Sequence, residues 1–127
     1  MNALLVEGTP KTPRIHFTAD GSLEISGKSI PENSIEFYQP VYDWLDQYAQ
    51  APNPATTIKI QLEYFNTSSS KCLLDVFRKL EALKKSGKSE VTVMWMYEEE
   101  DEDMMEAGDD YQTIVGLPFQ LMKIEVE

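Results

Sequence analysis

The stretch that most constrains this chain is Ile58-Lys59-Ile60-Gln61-Leu62-Glu63-Tyr64, where apolar and polar residues alternate strictly. Successive side chains of a strand point to opposite faces, so this run reads as a strand with one buried face. Directly after it, Leu73, Val76, Phe77, Leu80 and Leu83 recur on one helical stripe, closed by Lys84, Lys85 and Gly87, residues favoured at a helix C-terminus. Val91, Val93, Trp95 and Tyr97 then alternate again in a β-branched and aromatic setting, which marks another strand. Strand, helix and strand in this order form a βαβ unit, and the chain must contain a sheet with at least one helix packed on it.

The remaining patterns extend that unit in both directions. Ile15-His16-Phe17-Thr18 and Ser22-Leu23-Glu24-Ile25-Ser26 flank Ala19-Asp20-Gly21, whose glycine supplies the positive φ of a tight hairpin loop. Phe37, Val41, Trp44, Leu45 and Tyr48 recur at helical spacing after Pro31-Glu32-Asn33, with Asn33 or Ser34 as cap. Pro40 lies inside this pattern, so the helix either kinks there or begins there. Asp103 to Tyr111 is read as a short acidic helix, and Phe119 to Val126 as a last strand after Gly116-Leu117-Pro118. The expected order is β-β-α-β-α-β-α-β, an α/β fold with a mixed sheet of four to five strands and two to three helices. Residues 1–127 are expected to form one domain, with residues 1–13, including Gly8-Thr9-Pro10-Lys11-Thr12-Pro13, as a lead-in.

A chain of 127 residues can bury roughly two thirds of its unfolded surface, so an apolar core suffices without a staple. Its one cysteine, Cys72, has no internal partner, and the start lacks the basic residues and long apolar run of a signal peptide. No stretch approaches the ~18 consecutive apolar residues of a membrane helix. The protein is expected to be cytoplasmic, with no membrane contact. Of the net charge of −11, the segment Glu98 to Asp110 alone supplies nine acids and no base. With no basic stripe interleaved with aromatics, nucleic acid is not an expected partner.

The start of the second helix carries the chemistry. Asn66-Thr67-Ser68-Ser69-Ser70-Lys71 places four hydroxyls and one amide where four backbone N–H groups lack partners. One or two caps, each worth about 1 kcal/mol, do not account for four hydroxyls in a row. A helix N-terminus carries about half a positive charge and favours a phosphate, on a ligand or on a modified hydroxyl. Phosphorylation there adds about −1.5 to −2 charges to an exposed surface, which suits a binding switch. A loop rich in small polar residues with a single cap is the plainer alternative.

The blocks Pro31-Glu32-Asn33-Ser34, Leu62-Glu63-Tyr64-Phe65-Asn66-Thr67-Ser68-Ser69-Ser70-Lys71, Trp95-Met96-Tyr97 with its acidic follower, and Leu117-Pro118-Phe119 together resemble the SiaC family of bacterial regulatory phosphoproteins, over nearly the whole chain. The element order also resembles the STAS-like anti-sigma factor antagonists. The resemblance implies a non-enzymatic partner-switching protein with Thr67 as the phosphorylated residue, Ser68 and Ser69 being the alternatives. Asn66, Ser68, Ser70 and Lys71 would then form the switch surface. It further implies a serine/threonine kinase with a histidine-kinase-like ATPase domain, a PP2C-type phosphatase, and a GGDEF diguanylate cyclase that the unmodified form binds and activates, in cyclic-di-GMP signalling and biofilm control.

Other candidates are weaker. Glu98-Glu99-Glu100-Asp101-Glu102-Asp103 lacks the spacing and central glycine of a calcium loop. It reads as a solvated run whose Glu99, Asp101 and Asp103 offer an acidic surface to a basic partner. His16 has no second ligand for a metal, and Cys72 is placed in the first turn of the second helix, where the dipole favours a thiolate but burial would silence it. Met94, Met96, Met104, Met105 and Met122 cluster late in the chain, with Met104 and Met105 as a candidate contact patch. The alternative function is a phosphate-ligand-binding protein or enzyme using the same helix N-terminus. There is no Gly-rich phosphate loop, no G-x-S-x-G elbow, and no cofactor is called for.

Overall fold

The computed structural model describes residues 1–125. Its elements run β1 (Leu4–Val6), β2 (Arg14–Phe17), β3 (Ser22–Ser29), α1 (Ser34–Tyr48), β4 (Ala55–Phe65), α2 (Thr67–Lys85), β5 (Glu90–Glu98), α3 (Glu102–Ile114) and β6 (Phe119–Ile124). The six strands lie in sequence order across one sheet. The pairs β1–β2 and β2–β3 are antiparallel, and the pairs from β3 to β6 are parallel.

The sheet is therefore mixed and the fold α/β, as the alternation at Ile58–Tyr64 requires, but with six strands rather than four or five. The sixth comes from the residues expected to be a lead-in. Leu4-Leu5-Val6 pairs with Ile15, His16 and Phe17, the Trp44 indole donates to the Asn2 carbonyl at 2.9 Å, and Ile30 N–H bonds Lys11 C=O at 2.8 Å. Three residues are too few to show a periodicity, so only tertiary pairing defines this strand. The last strand ends at Ile124; Val126 lies outside the described residues.

All three crossovers step the same way to the next strand, so right-handed connections place α1, α2 and α3 on one face. The burial pattern agrees. Ile15 and Phe17, Leu23 and Ile25, Ile58 and Ile60, and Val91, Val93 and Trp95 all point into a single core with Tyr38, Val41, Leu45, Leu73, Val76, Phe77 and Leu80. Each fully buried aliphatic or aromatic side chain adds roughly 1.5–3 kcal/mol. The opposite sheet face carries rows such as His16, Glu24, Lys59 and Met94 and among the described residues has no helix over it. No helix among the described residues is long and apolar enough to cross a membrane.

Helix starts follow the capping rules. Asn33 caps α1 by accepting from Glu36 N at 3.1 Å. Pro40 lies inside the helix Ser34–Tyr48, which excludes the reading that the helix begins there. The acidic helix α3 is longer than expected: Asp101 caps it, accepting from Met104 N at 3.0 Å. In the β2–β3 loop Gly21 has φ +93° and lies against the Ala55 carbonyl, where no Cβ fits. Gly108 in α3 has another reason: a Cβ there would run into the buried Trp95 ring. Gly108→Ala is expected to cost about 1–3 kcal/mol through overpacking, readable as a shifted denaturation midpoint with unchanged slope.

Glu81 ties α2 to the turn before β6. Its carboxylate accepts the Gly116 N–H and faces Arg78 at 3.1 Å and Lys85 at 4.0 Å. The Gly116 hydrogen bond first, and the nearby cations after it, hold the carboxyl below its ordinary value of 4.5. With the folded pKa depressed, the stabilisation is present above about pH 4.5 and is lost as pH falls through the lowered value. Thermal melts across this acid range should fall less steeply for Glu81→Gln than for the wild type.

Candidate functional site

The C-terminal end of β4 delivers the chain straight into α2, so the hydroxyl cluster sits at the end of the sheet beside the start of α1 and the Tyr111 turn of α3. Asn66 adopts an extended conformation (φ −83°, ψ 173°) and its side chain accepts from Ser69 N at 2.9 Å. The cap is therefore the amide residue. No serine of the cluster caps the helix, because Asn66 occupies the half-in position that a cap requires.

Each serine is committed elsewhere. Ser69 is fully buried; its hydroxyl receives from Ser29 Oγ at 2.8 Å and donates to Ser29 C=O at 3.0 Å. Tyr38 extends this chain, its hydroxyl 2.7 Å from Ser29 Oγ. Ser68 Oγ lies 2.7 Å from Ser34 Oγ, joining the first turns of α1 and α2, and 3.1 Å from Asn66 Oδ1. Ser70 Oγ lies 3.1 Å from Tyr111 Oη, and that phenol donates to Ser70 C=O at 2.8 Å. Burial raises the pKa of both the Tyr38 and Tyr111 phenols above the ordinary tyrosine value, which favours the protonated, hydrogen-bonding form.

Thr67 differs from all three. It is exposed, it is the first residue of α2, and its hydroxyl has no hydrogen-bond partner among the described residues. Asn66 N–H bonds the Ser29 carbonyl and Ser69 N–H the Asn66 side chain, so among the described residues the Thr67 and Ser68 N–H groups are the ones left to meet an anion. Lys71 is also exposed, one turn further along the same face. The structure thus brings Asn66, Thr67, Ser68, Ser70 and Lys71 to one surface and separates Ser69 from it.

The acidic residues divide in the same way. Glu99 and Asp103 are exposed, whereas Asp101 is half-buried and used as the α3 cap. Acids at this helix start are favourable for its dipole, which gives part of the run a local structural role. Among the described residues no group of three His, Cys, Asp or Glu side chains could hold a metal ion. Cys72 is buried and lies in the second turn of α2 rather than the first, removed from the free N–H groups. Met104 is buried, its carbonyl accepting the Trp95 indole N–H at 2.9 Å, and only Met105 of that pair is exposed.

Sequence reasoning did not identify Ser29, Ser34, Tyr38 and Tyr111 as the anchors of the cluster, and their separation along the chain leaves no local signal. It also missed a trough beside Thr67. One depression of about 220 Å³ is lined by Phe65, Lys71, Leu74, Tyr111 and Ile114, and a second of about 200 Å³ by Glu63, Tyr64, Asp101 and Asp103. They share Phe65 and Ala107.

Comparison with known proteins agrees with this architecture. The family model described as SiaC family regulatory phosphoprotein matches residues 6–124. An uncharacterized protein of Pseudomonas aeruginosa strain UCBPP-PA14 is 30% identical over 122 residues, covering 95% of this chain and 96% of its own. The structure of SiaC of Pseudomonas aeruginosa superposes with a TM-score of 0.87 at 29% identity, over 98% of this chain and 100% of that one. A second structure, of diguanylate cyclase SiaD in complex with its activator SiaC from Pseudomonas aeruginosa, matches with a TM-score of 0.86 at 30% identity over 95% and 99% of the two chains. With its six-stranded sheet, three helices and hydroxyl-rich start of α2, this chain belongs to the SiaC family of regulatory phosphoproteins.

Proposed function

We propose that this protein is a non-enzymatic switch whose state is set by phosphorylation of Thr67 and whose unmodified form binds and activates a GGDEF diguanylate cyclase. The observation that carries the reading is the contrast within the hydroxyl cluster. Thr67 is exposed with an unengaged hydroxyl, while Ser68, Ser69 and Ser70 are held by Ser34, Ser29 and Tyr111. A kinase reaching this rim meets one hydroxyl it can modify without breaking a hydrogen bond. The cyclase enters through the relative whose structure is a complex of SiaD with its activator SiaC. A serine/threonine kinase with a histidine-kinase-like ATPase domain and a PP2C-type phosphatase complete the circuit.

Once attached, the phosphate would lie at the positive end of α2 with Lys71 one turn away, so the modified state is compatible with an intact helix. Incubation with the kinase of the source organism and Mg-ATP should add one phosphate, mapped to Thr67 by mass spectrometry. Thr67→Ala should abolish labelling, and Ser68→Ala or Ser70→Ala should leave it. Phosphate found on a different residue of the wild-type protein would refute the assignment.

A further inference from the structure

We infer that the outer edge of β6 is a self-association surface, and that its occupant is β6 of a second copy of this chain, paired antiparallel about Leu121. Strand β6 borders β5 on one side, and among the described residues no strand lies on the other. Val93 N–H bonds Pro118 C=O at 2.9 Å and Glu99 N–H bonds Ile124 C=O at 3.1 Å. Backbone groups of alternate residues point to the same side of a strand, so Gln120, Met122 and Ile124 turn theirs toward β5, and Phe119, Leu121 and Lys123 turn theirs outward. Such a row is a template for another strand unless it is short, bulged or loaded with charge or proline. Strand β1, at the other edge, has three residues. Strand β6 has six in regular register, with Lys123 its single charge.

The flanks of this edge are uncharged on both faces. Helix α3 carries Glu102, Asp103, Glu106, Asp109 and Asp110 and no base. Ala107, Asp110 and Ile114 line the depression shared with α2, so at about 3.6 residues per turn Met105 and Gln112 lie on the opposite flank, toward β6, where none of these acids falls. Met105 is 39% exposed there, and on the open face of the sheet Met122 is 37% exposed. A two-fold axis at Leu121 sets Leu121 against its own copy and Phe119 against Lys123, each such contact being made twice. Both methionines then border the seam, one on each face, where an adaptable thioether packs readily. The Lys123 side chain stands on the helix-bearing face, since Lys123 pairs with Tyr97 as Leu121 pairs with Trp95. Across the seam it meets the end of the sheet at which the second copy's α3 finishes, and α3 has no base in its last turn. A cation there complements the helix dipole.

Net charge gives the pairing a signature. Each copy carries −11, so two copies repel, and salt screens that repulsion. Strand pairing should therefore strengthen with salt. Docking of the acidic run Glu98 to Asp110 on the basic end of α2, where Arg78, Lys79, Lys84, Lys85 and Lys88 lie, would weaken with it. A seam of two short strands belongs with the weak, reversible interfaces of less than about 1,200 Å².

Sedimentation velocity of the full chain, from micromolar to millimolar protein at low and high salt, should show a monomer–dimer equilibrium that salt shifts toward the dimer by about threefold or more. Amide exchange of the wild type over the same range should slow at Phe119, Leu121 and Lys123 and stay unchanged at Leu5 in β1. Lys123→Pro removes an outward N–H at an exposed edge position, where proline is tolerated, and should weaken association by about tenfold or more. Met105→Lys with Met122→Lys, both exposed, should weaken it as well, and circular dichroism will show which variants are folded. The proposal is overturned by a wild-type chain that stays monomeric at every concentration and salt, by a dimer that salt dissolves, by exchange that slows elsewhere but not at those three amides, or by a folded Lys123→Pro that dimerises as wild type.

Discussion

Replacing Thr67 with glutamate is expected to weaken cyclase binding by about tenfold or more, while Thr67→Ala leaves affinity within about twofold. The asymmetry follows from where the side chain sits. Thr67 is exposed and its hydroxyl is bonded to nothing among the described residues, so truncation removes no fold interaction and should move stability by no more than about 0.5 kcal/mol. A carboxylate at the first position of α2 is favourable for the helix dipole by about 0.3–1 kcal/mol. The melting temperature of Thr67→Glu should therefore equal or exceed that of the wild type, so any loss of binding cannot be ascribed to unfolding. Calorimetric titration against the cyclase, with a melt of each variant, reads both quantities. Undiminished affinity for Thr67→Glu, together with normal binding of the stoichiometrically phosphorylated protein, would rule out charge at this position as the switch.

Ser69→Glu provides the contrast. The same charge two residues on would have to enter the fully buried site held by Ser29, and an unpaired buried carboxylate is among the most costly changes a core can suffer. This variant should lose the fold, not only the partner.

Trp95→Ala is expected to destabilise the protein by about 3–5 kcal/mol, lowering the melting temperature by roughly 10–20 °C. The indole is wholly buried. Its ring centroid lies 6.2 Å from that of Phe65, 5.5 Å from Tyr111 and 6.4 Å from Phe77. Its N–H holds the Met104 carbonyl of α3 at 2.9 Å, and Gly108 gives the helix room to lie directly on the ring. Truncation removes the platform under α3 as well as core volume. Amide exchange should accelerate first in α3. A fall of less than about 1 kcal/mol would mean that α3 is held by other contacts.

The sheet and its central helices were legible in the sequence because periodicity is a local property. The alternation of Ile58–Tyr64 and the stripe from Leu73 to Leu83 each carry their own phase, and β4 and α2 appear where these patterns stand. Strand β1 was not legible, since Leu4-Leu5-Val6 acquires its identity only by pairing with β2. The site divides similarly. That a polar cluster opens α2 could be read, but which hydroxyl is free could not. Ser29, Ser34 and Tyr111 reach their serine partners across 40, 34 and 41 residues of chain, and no short-range pattern encodes those ties. Asn66 is legible as the cap from its place at the end of the strand, where a short amide side chain can accept from the first turn.

Because the strands occupy the sheet in the order in which they occur in the chain, every strand pairs with one that immediately precedes or follows it among the strands. No strand has to be inserted between two that are already joined, so pairing can proceed in one direction as the chain leaves the ribosome. The hydrogen bonds of Ser69 to Ser29 and of Ser68 to Ser34 can form as soon as α2 is synthesised, before β5 exists. The tie from Ser70 to Tyr111 has to wait for α3. Thr67 thus acquires its final surroundings only once α3 is in place, and under the proposed switch a kinase that reads those surroundings would distinguish a molecule folded through α3 from one still lacking it.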